Sequence, residues 1–132
     1  FFSDLQQQLN MPNLIVSCEF NPPVIIIMGS TLQEETIKKL DDRLHDSTTT
    51  ATSAKKEYEK FELRRDRGPE HWYSRLDGQF CDQFGRSTLF MTIIECLENE
   101  GWKLKASNSI TIEETMTDKN LLFFVRGREA SL

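Results

Sequence analysis

Two short runs, Val24-Ile-Ile-Ile-Met28 and Leu121-Leu-Phe-Phe-Val125, are apolar at every position. Successive side chains of a strand point to opposite faces, so each run predicts a strand that is apolar on both. Such a strand belongs inside a sheet, with cover above and below. Neither run approaches the roughly 20 apolar residues of a membrane-crossing helix. The chain must therefore build a sheet with two interior strands.

Asn13 to Phe20 predicts a further strand, with Leu14, Val16, Cys18 and Phe20 on its apolar side. The Asn21-Pro22-Pro23 turn is short and favours antiparallel pairing with the Val24 run. Gly29-Ser30-Thr31 then launches a helix from about Leu32 to His45, with Ser30 or Thr31 as cap and Glu34 or Glu35 placed for a capping box. Its stripe is Leu32, Thr36, Ile37, Leu40 and Leu44. A single glycine without a Gly-rich or Gly-Lys-Ser/Thr pattern reads as a helix start, not a phosphate cradle.

The stretch from Gly78 to Val125 predicts a second unit. Ser87 is a natural cap for a helix from Thr88 to Glu100, striped by Leu89, Phe90, Ile93, Ile94 and Leu97, with Cys96 beside them. Glu95, Glu98 and Glu100 are expected to face water, and Gly101 to end the helix in the left-handed region. Trp102 to Ala106 and Ile110 to Ile112 predict strand, broken by a kink at Ser107-Asn108-Ser109. Asp118-Lys119-Asn120 predicts the turn before the Leu121 run.

Two segments carry less apolar pattern. Ser3 can cap a short helix from Asp4 to Leu9. Residues 46–54 are rich in Ser and Thr and predict a flexible loop. Beyond it, a strand from about Tyr58 to Arg65 and another from His71 to Leu76 predict an exposed hairpin, turned at Asp66-Arg67-Gly68-Pro69. The whole predicts one α+β domain over residues 1–132. Its architecture is a mostly antiparallel sheet of about five to six strands with two main helices packed on one face.

Composition narrows function. The 132 residues carry a net charge of -5, which argues against general nucleic-acid binding. The opening Phe1-Phe2-Ser3-Asp4-Leu5 has neither the basic start nor the long apolar core of a secretory signal. Three cysteines without close spacing suit free thiols in a reducing compartment, so an intracellular, cytoplasmic location is expected. The spacing of Cys, His and acidic residues matches no metal pattern, and no cofactor motif occurs.

Two constellations remain. Arg64, Arg65 and Arg67, with Arg75 beyond the turn, form the one basic concentration in an acidic chain. With Tyr58, Trp72 and Tyr73 they predict partner binding through the charged edge hairpin and the sheet surface, suited to another protein or an acidic peptide. The same arginines give an alternative, a phosphate-containing ligand or nucleic acid. An open sheet edge would also allow pairing with a second copy. The enzyme alternative is a Cys81 nucleophile with His71 as base and Asp82 or Asp77 as orienter. Cys81 between two phenylalanines reads better as a packed thiol, so a non-enzymatic, regulatory interaction domain is the expectation.

Overall fold

The computed structural model describes residues 13–20, 22–45, 60–65, 68–76 and 81–126. The Asp4 to Leu9 helix, the 46–54 loop, Tyr58, Arg67, Asp77 and Gly78 lie outside the described residues. The elements run β1 (Asn13–Glu19), β2 (Val24–Gly29), α1 (Glu34–His45), β3 (Glu62–Arg64), β4 (His71–Arg75), α2 (Gln83–Glu98), β5 (Lys103–Ile112) and β6 (Thr117–Val125). The strands form one six-stranded sheet in the order β3-β4-β2-β1-β6-β5. Every neighbouring pair is antiparallel, so the fold is α+β as the patterning predicts.

The two apolar runs lie in β2 and β6, on either side of β1. Register places Val16 between Ile27 and Leu122, with Leu14 opposite Phe124 and Cys18 opposite Ile25. All seven side chains are buried and share one face. Against that face pack Ile37, Leu40 and Leu44 of α1 and Leu89, Ile93, Cys96 and Leu97 of α2, in one apolar cluster. Both helices therefore cover the same side of the sheet.

Sequence and structure part company at several boundaries. α2 begins at Gln83, not Thr88, and its cap is Asp82, whose carboxylate accepts the Gly85 N–H at 2.8 Å. Ser87 instead lies inside the helix and donates its hydroxyl to the Gln83 carbonyl at 3.2 Å, as Thr88 does to Phe84 at 3.0 Å. Ser30 Oγ accepts the Asn13 N–H at 3.2 Å rather than turning to the start of α1. Gly29 is left-handed (φ +119°), and a Cβ there would lie 2.4 Å from the Asn13 carbonyl oxygen. The glycine thus serves close approach of β1 to the end of β2.

β3 is three residues long, with no strand from Tyr58 among the described residues. β5 runs unbroken through Ser107-Asn108-Ser109, and its irregularity is a bulge between Leu104 and Ala106. The β5–β6 turn falls at residues 113–116, where Met116 is left-handed at φ 55°. Asp118 and Asn120 belong to β6. Their side chains accept the Thr111 and Ser109 hydroxyls across the ladder, at 2.9 and 2.8 Å. Cross-strand bonds of this kind let turn-forming residues serve a strand.

Glu100 is the largest departure. It does not face water; its side chain is 2% exposed. Oε1 accepts the Gln33 N–H at 3.2 Å, ahead of α1, and Oε2 accepts Trp102 Nε1 at 3.3 Å. Arg126 Nη1, just past β6, reaches the same Oε2 at 3.4 Å and the Glu100 carbonyl at 3.1 Å. The Arg126 guanidinium also lies 4.7 Å from the centre of the Trp102 ring.

Two stability measurements test this account. Ile93→Ala should destabilise the chain by about 3 kcal/mol and lower its thermal midpoint by several degrees, because Ile93 has no exposed surface. An unchanged midpoint would show that the helix stripe is not the core. Glu100→Ala should cost about 3 kcal/mol by stranding three donors, with Glu100→Gln costing less because its amide oxygen still accepts. Glu98→Ala, at the exposed last residue of α2 two positions earlier, is the control and should change little.

Candidate functional site: the charged hairpin and the open sheet face

β3 is the outermost strand and β4 lies between it and β2. Register sets Tyr73 opposite Ile26 on one side and Glu62 on the other, with His71 between Met28 and Arg64. Trp72 falls between Ile27 and Leu63. Since Ile27 belongs to the core, Trp72 and Leu63 share the helix-covered face. Arg64, Tyr73 and Arg75 share the opposite face.

The sequence-predicted site is therefore divided. On the open face the Arg64 guanidinium stacks over the Tyr73 ring, 3.6 Å from its centre. Arg64 Nε also sits 3.6 Å from a Glu62 carboxylate oxygen. Arg75 follows Tyr73 on the same face, exposed, and pairs in register with Val24. Arg65 leaves the strand and forms an ion pair with Glu70 across the turn. Trp72 is half-buried against the core from the other side. There it lines a groove of about 340 Å³ with Glu34, Glu35, Ile37, Lys38 and Asp41 of α1. Asp41 already accepts the Phe61 N–H at 2.8 Å, and burial raises its pKa against the opposing pull of that bond and of Lys60.

Beyond the hairpin, the open face continues across the sheet. Met28, Ile15 and Phe123 form one cross-strand row, and Ile26, Ser17 and Leu121 the next. Apart from buried Ser17, these side chains are half-buried. Among the described residues no helix lies over them, because both helices are in the core of the other face. Of the cover expected on both sides of the β2 and β6 runs, the described helices supply one side. Sequence reasoning expected a sheet surface to take part in binding but named only hairpin residues, none of them on β1, β2 or β6. The signal was available as an excess: two runs apolar at both parities, and two helices with one stripe apiece.

The cysteine constellation is not brought together. Cys81 has no exposed surface and lies in the apolar core. His71 sits in the open-face parity of β4, with Nδ1 2.9 Å from the Pro69 carbonyl oxygen. The other thiols are also buried. Burial pushes Cys18 up to about 12. Burial likewise raises Cys96, against the lowering influence of Arg43, whose Nη1 lies 3.7 Å from its sulfur. Among the described residues no three His, Cys, Asp or Glu side chains could hold a metal ion. No described helix is long and apolar enough to cross a membrane.

A domain-family model matches residues 24–125, from the first residue of β2 to the last of β6. A comparison with curated proteins finds no match. Among solved structures, the chain is similar to the crystal structure of a conserved kinetoplastid-specific protein from Trypanosoma cruzi. The two are 45% identical, with a TM-score of 0.73, over 89% of this chain and 98% of the other. Identity at that level, over nearly all of both chains, shows common descent as well as a common fold. The chain belongs to the domain family matched at residues 24–125, and to the family of the conserved kinetoplastid-specific protein of Trypanosoma cruzi.

Proposed function

We propose that this chain is a non-enzymatic interaction domain, which binds an acidic protein or peptide across the open sheet face and the β3–β4 hairpin. The observation that carries the reading is the apolar row Met28–Ile15–Phe123, continuous with the Arg64–Tyr73 stack. Contiguous apolar surface rimmed by polar groups is what an interface presents before its partner arrives. Arginine and tyrosine are also the residue types that most often anchor such interfaces.

The stack has a further use. Tyr73 holds the planar guanidinium in place, so less side-chain freedom is lost when its N–H groups meet a carboxylate. Arg64 and Arg75 on this face, with Arg65 at its turn, outnumber their neighbours Glu62 and Glu70 and leave a local positive excess on a chain of net charge -5. That local field would speed the approach of an acidic partner and repel a basic one. A regulatory role would follow from such binding.

Partner capture with single-site variants tests the reading. Tyr73→Ala and Arg64→Glu should each weaken binding of the captured partner at least about tenfold, with the thermal midpoint retained. Phe123→Ser should weaken it as well, since Phe123 contributes apolar surface and no charge. Binding that ignores Phe123→Ser and falls steeply with salt would instead favour a phosphate-bearing ligand or nucleic acid at the arginines.

Thiol labelling separates this function from catalysis. At neutral pH all three cysteines of the native chain should react slowly with a mild alkylating agent, and all three rapidly in denaturant. Rapid native labelling of Cys81, lost on His71→Ala, would overturn the non-enzymatic reading.

A further inference from the structure

The two edges of the sheet are built differently. β3 is three residues long and carries Glu62 and Arg64, with Arg65 following, so it offers little to a foreign strand. β5 has ten residues, and all but Ile112 are exposed. Its bulge and its two lysines, Lys103 and Lys105, occupy the first positions only. From Ala106 to Ile112 the edge holds no charge and no proline, and Glu113 and Glu114 follow at once. The edge therefore reads basic, then neutral, then acidic, with Ser109 at the middle of the neutral part.

The hydrogen bonds say which way this strand faces. The Ser109 N–H donates to its neighbour Asn108 Oδ1 at 2.9 Å. Ser109 and Thr111 meet their opposite residues on β6 through side chains, as residues of a non-hydrogen-bonded pair do. The backbone groups of Ser109 thus point to the open edge, and alternation sends those of Ser107 and Thr111 the same way.

We propose that β5 pairs antiparallel with β5 of a second copy of this chain, about a two-fold axis through Ser109. Ser109 then exchanges backbone bonds with the partner's Ser109, and Ser107 with the partner's Thr111. The local Asn108 bond is replaced. Lys105 comes beside the partner's Glu113, and the symmetry repeats the contact. A parallel arrangement would set lysine against lysine and glutamate against glutamate, so the charge order selects the antiparallel one. Ala106, Ile110 and Ile112 lie in the parity of Phe123, which makes the two open faces one continuous surface. An edge contact of this size falls below the area of permanent dimers, so half-association is expected on the order of 100 μM.

Sedimentation equilibrium of the 132-residue chain, from about 10 μM to about 1 mM, tests the proposal. The wild type should pass from monomer to dimer across that range. Ser109→Pro removes the central donor without touching the β6 ladder and should abolish the dimer. Lys105→Glu and Glu113→Lys should each weaken it at least about tenfold, and the double variant should restore it, which a folding defect would not do. Arg64→Glu, at the opposite edge, should leave it intact, so this test is separate from that of partner binding. A chain that stays monomeric overturns the proposal, even if β5 accepts an extended segment of another protein. So does a dimer unmoved by Ser109→Pro, or a charge swap that fails to restore pairing.

Discussion

The two described helices, with one apolar stripe apiece, pack on one face of the six-stranded sheet. That constraint organises this molecule. Leu40 and Leu44 of α1, and Ile93 and Leu97 of α2, meet the inward residues of β1, β2 and β6, and together they complete a core. Nothing of comparable size among the described residues remains for the other side. The outward residues of the same strands, Ile15, Ile26, Met28, Leu121 and Phe123, are as apolar as the inward ones. A β-strand exposes half its side chains to each face, so uniform apolar composition commits the chain to two interfaces. The helices satisfy one of them.

The helix layer is held to the sheet by polar contacts at the ends of elements. Glu100 receives the backbone ahead of α1, the indole that opens β5 and the guanidinium that closes β6. Arg43 of α1 bonds Glu95 of α2 at 2.7 Å and also meets Cys96, so the helices are tied to each other on their outer side. The Arg43–Glu95 pair is half exposed and contributes little by itself. Glu100 differs because its carboxylate is enclosed, and its donors would be stranded without it.

Interior strands, helix stripes and the α+β class were legible because each rests on local periodicity. Thr36, Ile37, Leu40 and Leu44 are all buried, as their helical spacing predicts, and Leu32 is buried just ahead of the helix. Boundaries were less legible, since polar residues such as Asp82, Ser87, Asp118 and Asn120 suit caps, turns and strands alike. Asp82 became the cap because Gly85 brings an N–H to it. Asp118 became a strand residue because Thr111 stands opposite. The hairpin residues show the same limit. Trp72 and Tyr73 are adjacent in sequence, and the pleat sends them to opposite sides of the sheet.

By itself the sequence determined which segments are strands and helices, which residues could be buried and where positive charge is concentrated, because these follow from neighbours along the chain. Only the tertiary structure decided which buried face received the helices, that Glu100 turned inward, that Arg64 stacked on Tyr73, and that β5 was left at an edge. Those outcomes depend on strand order and register, which join residues far apart in the chain. The open face is the clearest case. Its apolar residues were visible in Val24–Met28 and Leu121–Val125, but that neither described helix lies over it follows only from both packing on the other side.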